Sequence, residues 1–122
     1  MTVRINPTTD RARGNARKAT IIESGQTVSD DVDMSGFTLA GVLISTALTG
    51  TSLTFRGTID KTNYFDIKNA AGTTIAITLS GTGIYKLNPS DFVGIDNIRA
   101  VSNGAEAAQR SITLLGADIL NG

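Results

Sequence analysis

The chain has 122 residues, of which 40% are hydrophobic, with 13 Gly, 2 Pro and neither Cys nor His. That length fits one domain able to bury its own core, and the missing thiols and imidazoles exclude disulfides, thiolate or imidazole metal sites and the usual nucleophile–base pairs. The net charge of zero is unevenly placed: residues 1–18 carry Arg4, Arg11, Arg13, Arg17 and Lys18 against Asp10, a net of +4, and the remainder carries −4.

Met1 to Asp10 has no apolar run, so neither a signal peptide nor a membrane anchor is expected there. The longest apolar stretch, Leu39 to Ile44, is interrupted by Gly41 and is too short to span a bilayer. Synthesis in a reducing cytoplasm follows. Residues 1–16 show neither helical nor strand periodicity and contain Pro7, Asp10, Gly14 and Asn15, which break regular structure. The expected organisation is a flexible basic arm over residues 1–17 and one domain over residues 18–122.

From Lys18 onward, short β-type runs alternate with turn residues at Gly25, Gly36, Gly50, Asp60 to Asn63, Gly72, Gly81 to Gly83, Pro89 to Asp91 and Asn103-Gly104. Turns spaced by about 8–12 residues predict an all-β fold, a single antiparallel β-sandwich of jelly-roll-like type. Leu53, Phe55 and Ile59 alternate with polar neighbours, as do Phe65 with Ile67, and Ile75 with Ile77 and Leu79, so each set is expected on the core face of its strand. Two runs are apolar on both faces, Phe37 to Ile44 and Ile112 to Leu120. A two-sheet domain covers one face of each strand, so Val42, Ile44 and Leu115 are expected at a seam between subunits. Ala105 to Gln109 suits at most one helical turn.

Asp31-Val32-Asp33-Met34-Ser35-Gly36 matches the first half of a calcium loop, in which oxygen ligands at alternate positions wrap the ion. The twelfth position, which should be a bidentate Glu, is Val42, and the flanks read as strands, so Asp30, Asp31 and Asp33 read as an acidic patch and no metal or cofactor is expected. Asp60, Asp66, Asp91 and Asp96 could pair as glycosidase carboxylates, but without Trp or His support they read as turn residues. Gly81-Thr82-Gly83 and Gly50-Thr51 are not followed by the Lys and helix of a phosphate loop. No catalytic residue is expected. The Arg-rich arm lacks interleaved aromatics and the body is acidic, which favours a protein partner over nucleic acid.

The run FTLAGVLISTALTGTSLTFRGTIDKTNYFDI, followed by YKLNPSDFVGIDNIRAVSNG and QRSITLLGADI, resembles small β-sandwich virion proteins of tailed bacteriophages over residues 36–119. Leu48 to Thr51, Leu53 to Phe55, Pro89, Phe92, Gly94 and Ile112 to Leu114 carry the resemblance, while Ile95 stands where such proteins have Trp. The resemblance implies a capsid decoration (cement) protein on the virion exterior, bridging neighbouring major capsid subunits as a homo-oligomer, with a trimer favoured. Arg4, Arg11, Arg13, Arg17 and Lys18 would contact the shell. The alternative is a tail-fibre, head-fibre or baseplate-associated receptor or carbohydrate-binding sandwich. On neither reading is there an enzyme, a small-molecule substrate, a nucleic acid or a membrane.

Overall fold

Short segments rich in Ile, Leu, Val, Thr and Phe cannot sustain helices against their turn residues, and they extend and pair instead. In a computed structural model that describes residues 15–117, the strands are β1 (Asn15–Ile22), β2 (Val32–Asp33), β3 (Thr38–Ile44), β4 (Ser52–Thr58), β5 (Phe65–Asp66), β6 (Ala76–Thr78), β7 (Gly83–Lys86), β8 (Asn97–Ser102) and β9 (Arg110–Ala117). A 3₁₀ turn covers Pro89–Phe92. One antiparallel sheet has the order β1-β9-β3-β7 and the other β2-β8-β4-β5, with β6 beside β5 on the same edge of β4. The fold is a β-sandwich. Among the described residues no helix is long and apolar enough to cross a membrane.

The core lies between the sheets. Ile112 and Leu114 of β9, Val42 and Ile44 of β3, Leu53 and Phe55 of β4, and Ile98 and Ala100 of β8 are buried at alternate positions. Asn88 caps the 3₁₀ turn by accepting the Ser90 N–H, and the turn drives Phe92 edge-on into Phe55, with ring centroids 5.8 Å apart at 89°.

Val42 and Ile44 are 0% and 1% exposed, so they belong to the chain's own core, which corrects their expected place at a subunit seam. A register shift explains the doubly apolar run. Leu115 pairs with Gly41 but Gly116 pairs with Leu39, which leaves Ala40 as an extra residue and turns Leu39 to the same side as Val42 and Ile44. A strict alternation across residues 37–44 misassigns the faces for that reason.

Three further expectations are corrected. Ile59 is 77% exposed because the ladder stops at Thr58, whose hydroxyl accepts the N–H groups of Asp60 and Lys61 and starts a turn that brings Lys61 to φ 63°. Phe65 is 71% exposed while Ile67 is buried. Opposite Phe65 lies Gly57, and Ile95 and Ile67 already pack over it, so that a Cβ there would fall 2.7 Å from Ile95 Cγ2; the ring of Phe65 is left outside. Ala105–Gln109, suited to at most one helical turn, forms none and carries Glu106 inward, in keeping with that reading. The strand β1 begins at Asn15, so Arg17, expected at the end of the arm, pairs with Leu115 within the sheet, as Lys18 of the domain pairs with Leu114. Arg4, Arg11 and Arg13, with the rest of the expected arm, lie outside the described residues.

Candidate interaction surface

Successive side chains of a strand point to opposite faces, so the register fixes what the outside of each sheet displays. On the outside of the four-stranded sheet, one row across all four strands reads Arg17, Leu115, Gly41, Lys86. The neighbouring row reads Ala19, Thr113, Leu43, Ile84. Leu115, Leu43 and Ile84, with Ala40 and Ala117, stand around a groove of about 440 Å³ that has Arg17 and Lys86 on its two edge strands. At Gly41 a Cβ would sit 3.0 Å from the Tyr85 carbonyl oxygen, a tight contact that β7 would have to yield to, and at ordinary contact distance, 3.5 Å, from Leu115. Of the three residues expected at a subunit seam, Leu115 is the one that faces outward. Ile84, 62% exposed, and Lys86 were not singled out in the sequence, although the alternation of Gly83–Lys86 places both on one side.

The outside of the five-stranded sheet is built differently. Its central row runs Asp31, Arg99, Arg56, Asp66: Arg99 and Arg56 are direct cross-strand partners, Asp66 is the partner of Arg56, and Asp31 precedes the β2–β8 pair. Two guanidinium groups side by side repel. Each is offset by a flanking carboxylate, Arg56 Nε lying 3.5 Å from Asp66 and Arg99 Nε 3.8 Å from Asp31. The Arg99 guanidinium also lies 4.1 Å above the ring of Tyr64, whose hydroxyl donates to Asp31 at 2.6 Å. That bond to a carboxylate, with burial and the charge of Asp31, raises the Tyr64 phenol above its ordinary value despite Arg99. Asn97 Nδ2 donates to the other oxygen of Asp31. Each guanidinium of the row thus has a carboxylate within ion-pair distance, while Arg99 Nε and Asn97 Oδ1 make no hydrogen bond.

Two further acids, Asp33 and Asp60, are tied to their turns. The Ser35 side chain and its N–H, which donates to Asp33 at 2.9 Å, together hold the Asp33 carboxyl below the usual range. Asp31 is committed to Tyr64, Asn97 and Arg99, so the half-match to a calcium loop describes two structural carboxylates; among the described residues no cluster of three or more acidic side chains could hold a metal ion. Asp60 accepts the N–H groups of Asn63 and Thr62 and the Asn63 amide, which holds it far below the usual range.

Glu106 is the most deeply placed carboxylate described, at 1% exposure. One oxygen accepts the Thr49 N–H at 2.8 Å and Arg110 Nε–H at 3.1 Å; the other accepts the Gly50 N–H at 3.0 Å and the Ser102 hydroxyl at 2.8 Å. Burial raises its proton affinity, but these four donors outweigh burial and leave the carboxyl below its ordinary value. With four donors in place it offers no site for proton transfer and acts as a latch between the 103–109 loop and the turn before β4. Sequence reasoning missed it, because a Glu between alanines gives no sign that four donors converge on it.

No family model and no curated protein sequence matches this chain. Among solved structures, it is similar to the SPBc2 prophage-derived protein YomS, at 10% identity and a TM-score of 0.53, over 84% of this chain and 93% of that one. It is also similar to CBM32-1 from a family 31 glycoside hydrolase of Clostridium perfringens, at 13% identity and a TM-score of 0.52, over 84% of this chain and 75% of that one. At these identities the likeness is one of fold, and it is the β-sandwich fold that the strand register describes.

Proposed function

We propose that this chain is a non-catalytic virion protein of a bacteriophage, a decoration protein that binds the outside of the assembled head and bridges its major capsid subunits. The observation that carries this reading is the outer face of the four-stranded sheet, where an apolar hollow between two cations suits a protein surface. A fold shared with a prophage-derived protein over nearly all of that protein's length supports the phage setting. Arg4, Arg11, Arg13 and their neighbours would reach an acidic surface on the shell, and binding to the assembled form alone would stabilise it by mass action.

A second reading, carbohydrate binding, draws on the likeness to CBM32-1. Sugar recognition leans on an open aromatic face. Tyr64 is capped by Arg99, and the Tyr85 hydroxyl is held by the Ser80 N–H and the Gly81 carbonyl, so Phe65 is the aromatic that this reading would use. The test is co-sedimentation of the purified protein with heads assembled from the major capsid protein of the same genome, beside a glycan array. Saturable binding to heads with an empty array is the expected result; a Phe65-dependent glycan signal without head binding would replace the first reading by the second.

A further inference from the structure

Four consecutive backbone N–H groups, those of Thr49, Gly50, Thr51 and Ser52, are accepted by two side chains of one loop. Glu106 takes the first pair; Asn103 Oδ1 takes the second, at 2.8 Å from Thr51 and 3.2 Å from Ser52. The Asn103 amide also donates from Nδ2 to Thr51 Oγ1 at 3.0 Å, so both of its ends are engaged at the start of β4. The next residue is Gly104, and Asn103 is exposed to water. In an Asn-Gly pair the glycine nitrogen is the least hindered main-chain nucleophile able to reach the preceding amide carbon, because glycine has no Cβ. Asn103 therefore sits in the dipeptide most prone to lose its amide, while its side chain is held across to another strand.

We propose that Asn103–Gly104 is a self-modifying site gated by the turn before β4: the closed turn protects the amide, and an open turn lets it cyclise onto the glycine nitrogen and be lost. In the reaction the Gly104 nitrogen gives up its proton and bonds to Asn103 Cγ, the Cγ–Nδ2 bond breaks, and Nδ2 takes up a proton and leaves as ammonia. Water then opens the succinimide, at Cγ to give aspartate or at the former main-chain carbonyl to give isoaspartate. Ring closure must swing Cγ onto the glycine nitrogen, which the three hydrogen bonds to Thr51 and Ser52 oppose, so the rate follows the open fraction of the turn. The two products act differently on the fold. Aspartate keeps acceptor oxygens for Thr51 and Ser52, and the Thr51 hydroxyl can turn to donate in place of the lost NH₂. In isoaspartate the atom that was Oδ1 becomes a main-chain carbonyl tied to Gly104, and one extra carbon enters the loop ahead of Glu106, so the loop no longer meets all four donors at once. The site is independent of what the outer faces of the sheets bind.

The test is incubation of the full chain at mildly alkaline pH, folded and in urea, with peptide mapping by mass spectrometry for the amide-to-acid change and enzymatic methylation to count isoaspartate. Asn121–Gly122, outside the described residues, carries the same dipeptide and normalises for solution conditions among variants. Conversion of Asn103 is expected to be at least about tenfold slower in the folded chain than in urea. Glu106→Ala, which loosens the same turn, should raise the folded rate toward the urea rate; Thr51→Val, which removes the Nδ2 partner alone, is read in its place if Glu106→Ala is unfolded. Gly104→Ala should slow conversion in both states while leaving the fold intact, since a Cβ there meets open space and no left-handed φ calls for glycine. Equal rates in the folded and unfolded chains overturn the gate, as does a folded rate that loosening the turn leaves unchanged; a Gly104→Ala rate equal to wild type overturns the cyclisation. Isoaspartate protein isolated by ion exchange should unfold at lower urea than the unmodified chain, with Asn103→Asp close to wild type. An isoaspartate form with the wild-type midpoint overturns the effect on the loop.

Discussion

Glu106→Ala removes the one acceptor pair that serves four donors, and the structure sets the size of the effect. Ser102 keeps a partner, because its hydroxyl also reaches the Gly104 carbonyl at 2.9 Å, and Arg110 can turn to water from a side chain that is 19% exposed. The Gly50 N–H, whose bond is buried, has no such recourse, and an unsatisfied buried donor costs about 1–3 kcal/mol, whereas the N–H of the exposed Thr49 can turn to water. Adding the lost charge pairing, a destabilisation of about 3–5 kcal/mol is expected, the range for removing one member of a buried ion pair. That is a large share of the roughly 5–15 kcal/mol that holds a domain together, and at about 4 °C per kcal/mol it lowers Tm by roughly 12–20 °C. Glu106→Gln should fall between, since its amide NH₂ would face donors. Urea unfolding of both, with the exposed Glu23→Ala as a control within about 0.5 kcal/mol, measures the difference. The pH dependence has a definite sign. The folded-state pKa of Glu106 is depressed, so its contribution is full above the ordinary glutamate value of about 4.3 and drains away as pH falls through the lower folded value. Glu106→Gln should flatten that part of the wild-type acid profile. A Glu106→Ala protein within about 1 kcal/mol of wild type at neutral pH would refute the latch.

Phe55→Ala should cost about 3–5 kcal/mol in urea unfolding, because it opens a cavity at the centre of the sandwich and strips Phe92 of its edge-to-face partner. Gly57→Ala should also destabilise, since Ile95 and Ile67 must move from a Cβ otherwise 2.7 Å and 3.0 Å away; Ile95→Ala in the same chain should recover part of the loss. Arg99→Ala should leave the fold within about 1 kcal/mol of wild type by thermal melting, as expected of a partly exposed ion pair. Replacing Arg4, Arg11 and Arg13 with Ala should leave the urea midpoint unchanged and lower head occupancy in co-sedimentation, with raised salt mimicking the change.

The β-sandwich was legible in the sequence because turn residues recur at short intervals and Leu53 with Phe55, and Ile75 with Ile77 and Leu79, alternate with polar neighbours. What failed was non-local. Ala40 as an extra residue depends on how β3 meets β9, and without it Leu39 cannot be placed with Val42 and Ile44. Phe65 reads as core until Ile95, thirty residues later, is seen to fill the space beside Gly57. The groove shared both difficulties: Leu115 was identified from its run, but Gly41, Ile84 and Lys86 come together only through the register of three strands.

The two outer faces carry the same kinds of residue in opposite arrangements, and that contrast bears on function. Across the five-stranded sheet the order is acid, base, base, acid, so every charge finds a partner within the row and the Tyr64 ring is covered by one of its members. A partner approaching that face would have to break bonds already made before forming its own. Across the four-stranded sheet the order is base, apolar, no side chain, base; among the described residues no carboxylate pairs with Arg17 or Lys86. There the charges are separated by a hollow, and contact with an acidic, apolar surface forms ion pairs without dismantling any. Desolvating apolar side chains between two unmatched cations gains most when the incoming surface brings carboxylates to both ends. That comparison supports the four-stranded face as the docking face of the proposed function, because the charges of the five-stranded row already have partners within it.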